Sequence, residues 1–168
     1  MSEQMKTISI LSAVLSLSIL GCSAGNVRVA TKVNEGASLA GELPSNPLQG
    51  KVITSWVDPK ASTMSTLFGN DVAVQYARTN AKAAYPTGSV VSLVTWNQEE
   101  DARWFGGRIP ASPRSVEFVR VGAAPDHRAS YSYERFEGAP LKKVATEEGV
   151  APNERAAYLL SQRAAVMP

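Results

Sequence analysis

Chemistry in this chain has few residues to run on: one cysteine, Cys22, and one histidine, His127, in 168 residues. Cys22 closes the run Ile19-Leu20-Gly21-Cys22. A thiol behind a small residue in that setting is what the lipoprotein pathway acylates before cutting the chain in front of it. The uncharged stretch leading there, Thr7 to Leu20 behind Lys6, is rich in Ile, Leu, Val, Ser and Ala. It falls short of the roughly 20 apolar residues of a spanning helix and suits a signal-peptide core. Met5 opens a more ordinary signal start than Met1, which has Glu3 behind it. The competing reading is a buried N-terminal helix with a chance cysteine. We expect a signal peptide over 1–21, lipid on Cys22, and anchoring made stable by several acyl chains. Ser23, where Asp would favour inner-membrane retention, directs the expectation to the periplasmic face of the outer membrane.

A single thiol leaves no internal disulfide and no cysteine-based metal site in this chain. One histidine makes a histidine-built zinc site or a Ser-His-Asp triad equally hard to assemble. His127 could still serve as the axial ligand of a non-covalent haem through a neutral imidazole. Its setting, Ala124-Pro125-Asp126-His127-Arg128, is a polar loop in which a histidine is ordinarily just solvated. Met64 and Met167 are soft donors that more often fill gaps in cores. Glu99-Glu100-Asp101 could recruit a cation or form a solvated turn. The densest aromatic and charged group is Trp96, Trp104, Phe105, Arg108 and Glu117. On neighbouring strands these five would line a candidate pocket for a small planar ligand, with Arg108 gripping its polar edge. The alternative is core aromatics beside an Arg108–Glu117 pair at the sheet rim.

The elements that must position these residues begin after a tether. Residues 22–47 are rich in Ser, Gly, Asn, Ala and Glu without a sustained period, and are expected to be flexible. Residues 48–168 then form one domain, with apolar content sufficient for a core. A formal net charge of +2, mixed in sign, leaves no nucleic-acid footprint. Strands are expected over 62–68, 89–96, 103–109, 115–121 and 130–136, from β-branched and aromatic runs bounded by Gly and Pro. Asn97 to Asp101 is expected as a turn. Asn70 or Asp71 caps a helix from Asp71 to about 83, and Asn153 caps another to about 164. The fold class is therefore α+β: an antiparallel sheet of four to five strands packed with flanking helices. Strands 89–96 and 103–109 carry apolar residues at both parities, so both sheet faces should be covered, by helices, a ligand or a partner subunit.

Several motifs together resemble the cytochrome P-460 family: Leu67-Phe68-Gly69-Asn70-Asp71-Val72-Ala73, Tyr85-Pro86-Thr87-Gly88-Ser89-Val90-Val91, Trp96, Trp104-Phe105-Gly106-Gly107-Arg108-Ile109-Pro110, Val116-Glu117-Phe118-Val119, Arg155, and Gln162 to Pro168. The resemblance covers roughly 50–168. It implies an antiparallel sheet with helices, commonly a homodimer, and in catalytic members a c-type haem that oxidises hydroxylamine. Related members bind small gases. That haem is attached through Cys-x-x-Cys-His, which this sequence does not contain.

The resulting expectation is an envelope lipoprotein whose P-460-like domain is a non-catalytic small-ligand-binding or interaction module without covalent haem. It would be a homodimer held at the membrane by lipid, with no nucleic-acid partner and no cofactor. The alternative is a non-covalent haem protein that binds small gases or performs hydroxylamine or peroxide chemistry. Cys22→Ala is predicted to leave the signal peptide uncleaved and the N-terminal peptide without diacylglycerol, which mass spectrometry of the membrane fraction checks.

Overall fold

The computed structural model describes residues 34–79, 84–123, 129–144 and 152–165. Six strands run β1 Lys51–Asp58, β2 Thr63–Gly69, β3 Val90–Glu100, β4 Arg108–Ala123, β5 Ala129–Glu137 and β6 Lys142–Lys143. Two helices accompany them, α1 Asp71–Arg78 between β2 and β3, and α2 Pro152–Ser161 after β6. The strands pair in sequence order, every neighbour antiparallel, so the sheet is a meander. The α+β class holds with six strands rather than four to five: β1 and the short edge β6 were not expected, while the runs at 103–109 and 115–121 do not form two separate strands.

Both strand parities are buried, and both covers come from the chain itself. On one face Leu67, Val91, Leu93, Val119 and Val121 pack under Ala73, Val74 and Ala77 of α1 and Ala156 and Leu159 of α2. On the other, Phe68, Val94, Trp96, Val116, Phe118 and Phe136 pack with Leu141 and with Ala37, Leu39 and Leu43. Phe118 and Phe136 meet edge-on, centroids 5.9 Å apart. Residues 34–47, expected as part of a flexible tether, therefore lie on the sheet. Their apolar residues are spaced irregularly, so no period announced them. Trp96 Nε1 donates to the Ala37 carbonyl at 2.9 Å, and Leu141 N donates to the Ala40 carbonyl at 2.7 Å. The two-faced pattern thus needs no partner subunit to explain it.

The middle of the sheet differs from expectation in a second way. Residues 103–107 are turn rather than strand, Asn97 to Glu100 extend β3, and β4 runs unbroken for 16 residues through Pro110 and Pro113. Proline offers no N–H to a ladder and survives at edges and bulges. Both conditions are met here. Pairing with β5 starts only at Ser115, and the β3 register shifts on either side of Trp96, next to Pro113 and Pro110.

Gly69-Asn70-Asp71 is a joint between sheet and helix. A Cβ on Gly69 would stand 2.8 Å from Ile53 Cδ1 and 3.1 Å from the Ala73 Cβ, so glycine is what lets α1 lie close to β1 and β2. The Asn70 side chain caps α1 by accepting from Ala73 N at 3.0 Å. Its Oδ1 also accepts from Val90 N at 3.1 Å, and its Nδ2 donates to the Gly88 carbonyl at 2.8 Å. One amide therefore ties the helix start to the Pro86–Gly88 turn, where Gly88 takes φ 87°. After α2 the chain returns to the same joint: Ala165 N donates to the Ile53 carbonyl at 2.8 Å.

Asn70→Ala is predicted to cost about 1–3 kcal/mol, since it removes a cap and leaves part-buried partners unpaired. Asn70→Asp, which keeps both acceptor bonds, should lose less. Thermal unfolding of the two variants checks that order.

Candidate functional site

Glu117 sits mid-way along β4, directly across from Leu93 on β3 and Arg135 on β5. Strand alternation turns it to the helix-covered face, where it is 2% exposed. A carboxylate this deep needs partners, and it has three donor contacts. Arg155, in the first turns of α2, grips it with both arms of the guanidinium, Nε to Oε2 at 2.7 Å and the terminal nitrogen to Oε1 at 2.6 Å. The Tyr133 hydroxyl, one diagonal step along β5, donates to Oε2 at 2.6 Å. The Arg155 guanidinium also lies 5.1 Å from the Tyr158 ring centroid, a cation–π contact within the same helix.

The electrostatics follow from that arrangement. Burial pushes the Glu117 carboxyl upward, but the bonds from Arg155 and Tyr133 and the charges of Arg155 and Arg135 outweigh it and hold it below the ordinary glutamate range. Burial and the neighbouring carboxylate raise Tyr133 far above a normal phenol. Arg155 is raised by the same carboxylate. Glu117 is thus a fixed anion between a fixed cation and a phenol that keeps its proton. That combination braces α2 to β4 and β5. Beside it, the Arg135 Nε is buried without a hydrogen-bond partner, while the outer guanidinium nitrogen pairs with Glu137.

The five residues of the expected pocket are not brought together. Trp96 is 7% exposed on the face covered by the N-terminal segment, and Glu117 lies on the opposite face. Trp104 and Phe105 stand at the tip of the β3–β4 hairpin, 74% and 104% exposed. Arg108, at the start of β4, lies 3.8 Å from Glu100, and both are well exposed. The Arg108–Glu117 pair is therefore corrected: nine positions along one strand separate them by about 30 Å at the usual rise, and the arginine that meets Glu117 is Arg155. Asp101 of the acidic run accepts from Arg103 N at 2.9 Å and from its Nε at 3.2 Å. Among the described residues no cluster of three His, Cys, Asp or Glu is placed to hold a metal ion. Cys22, His127 and Met167 lie outside the described residues. Met64 is half-buried on β2, opposite Trp96. Sequence patterning missed Tyr133 and Arg135 as partners of Glu117, although their alternation with Ser132 and Glu134 put them on one face. Arg155 lies 38 positions away, on another element, and no local signal links it to β4.

A consecutive antiparallel meander, helices on one face and a buried carboxylate clamped by a helix arginine define an α+β domain. The family model for cytochrome P-460 matches residues 48–154, and the chain belongs to that family. A search of curated proteins finds no match.

Membership raises the question of haem. Covalent attachment requires two thiols and an adjacent imidazole, and iron otherwise takes His, Cys, Met or Tyr. The described residues contain neither cysteine nor histidine. The Tyr133 hydroxyl is already spent on Glu117. The residues present do not fit a covalently held haem, and no chemistry is derived through one.

Arg155→Ala is predicted to cost about 3–5 kcal/mol, because it strands a buried charge; Glu117→Gln with Arg155 intact should cost less. The pH dependence has a definite sign. Glu117 is more acidic folded than unfolded, so its contribution is full above the ordinary value of 4.5 and fades as pH falls through the lower folded value. Glu117→Gln should therefore flatten the acid limb of a plot of Tm against pH, and an unchanged limb would refute the assignment.

Proposed function

We propose that this chain is an envelope lipoprotein, anchored through Cys22 at the periplasmic face of the outer membrane. Its P-460 domain acts there as a non-catalytic interaction or small-ligand-binding module that has lost covalent haem. The observation that carries the proposal is the donor set: a member of a haem family whose described domain offers no thiol and no imidazole. Two further observations support it. The helix-covered face is filled by an apolar core and closed by an ionised carboxylate that is already satisfied. The other face is filled by the chain's own residues 37–43. Both faces are thus self-contained, and an interaction module needs only its surface. A homodimer, implied by the family resemblance, belongs to the same proposal.

Family membership also favours a second reading, a non-covalent haem protein with His127 as its iron ligand. The two separate cleanly. Protein purified from its native envelope is predicted to show no Soret band and no stoichiometric iron. A Soret band that His127→Ala alters would replace the first reading with the second. Sedimentation is expected to give a dimer, and a monomer at high concentration would remove that part of the proposal.

A further inference from the structure

The β3–β4 hairpin ends in a turn that holds two aromatic side chains outward. Asp101 N donates to the Gly107 carbonyl at 2.9 Å, and Gly107 N donates to the Trp104 carbonyl at 2.8 Å. Gly106 takes φ 74°, a conformation that a side chain would strain. A Cβ on Gly107 would stand 2.9 Å from the Trp104 carbonyl oxygen. Two glycines therefore close the turn, and Trp104 and Phe105 are left on its outside at 74% and 104% exposure. Single exposed apolar residues need no explanation, but adjacent bulky aromatics at a projecting tip mark a contact surface.

Where the chain enters the domain says which surface. Asn34 Nδ2 donates to the Pro110 carbonyl at 2.6 Å. Pro110 faces Gln98, at the base of the same hairpin. The chain therefore leaves the domain beside this tip, at the end of the sheet opposite the Asn70 joint. Asn34 is twelve positions after Cys22, a reach of at most about 40 Å when fully extended. The charges around the turn are mixed: Glu99, Glu100 and Asp101 against Arg103 and Arg108. A strongly charged partner has little to recognise there. A tryptophan beside a phenylalanine suits the lipid–water boundary, where amphipathic rings concentrate.

We infer that Trp104 and Phe105 form a second membrane contact, inserted at the lipid headgroup level, which orients the anchored domain with its β3–β4 hairpin toward the bilayer. This rests on the reading of Cys22 as a lipid anchor. The two contacts have separate roles: acyl chains hold the protein at the surface, and the aromatic tip fixes which end faces it.

The test uses the full-length lipidated protein in phosphatidylethanolamine vesicles, with and without brominated acyl chains. The emission of Trp104 is obtained as the difference between the native chain and Trp104→Phe, which removes the contributions of Trp56 and Trp96. That emission is expected to fall at least twofold in brominated vesicles and to resist the aqueous quencher acrylamide. Trp104 emission equal in both vesicle types overturns the inference. If it also resists acrylamide, the tip is covered by protein, such as a second copy of this chain; if acrylamide quenches it, the tip is in water. The mass of the Cys22 peptide is measured on the same sample. A lipidated peptide with no bromine quenching overturns only the tip contact, whereas an unlipidated peptide overturns the anchor and this inference with it.

Discussion

One buried ion pair decides how this domain closes. The bond from Arg155 to Glu117 joins the C-terminal helix to the middle of the longest strand across 38 residues of chain. Desolvating a carboxylate is expensive, and only a two-armed guanidinium and a phenol in good geometry make it tolerable. Because those partners are fixed, α2 has one seat on the sheet. Ala156 and Leu159 are both fully buried there against the strands.

The rest of the architecture answers a constraint of area. A six-stranded meander with apolar residues on both faces has two surfaces to cover and about 130 residues with which to do so. The helices cover one. The other is covered by an irregular N-terminal segment, hung on the Trp96 indole and the Leu141 amide. The Asn70 joint then fixes where α1 leaves the sheet, using a glycine for clearance and one amide for three hydrogen bonds. The motifs by which the sequence resembles the family are therefore, in this chain, devices of folding. Gly69-Asn70-Asp71 and Pro86-Thr87-Gly88 hold helix to turn, and Glu117 with Arg155 holds helix to strand.

Much of this was legible in the sequence, for local reasons. The β-branched run at Val90–Trp96, the cap at Asn70 and the alternation at Tyr131–Phe136 each announce their element within a few residues. The two-faced apolar pattern correctly required two covers. What covered the second face was not legible, because residues 37–43 have no period and gain their order from Trp96 and Leu141, far along the chain. Trp104 and Phe105 have the apolar character of a strand, but Gly106 and Gly107 turn the chain there. Glu117 was singled out but given Arg108 as partner. Distance along one strand forbids that pairing, and only the tertiary return of α2 supplies Arg155.

We propose that this P-460 domain is complete without a cofactor. A ligand that binds only the native state raises Tm in proportion to its binding. Thermal unfolding of the purified protein, with and without excess haemin, measures that directly. The same Tm is expected in both. A Tm that rises with haemin concentration, and no longer does so after His127→Ala, would contradict it.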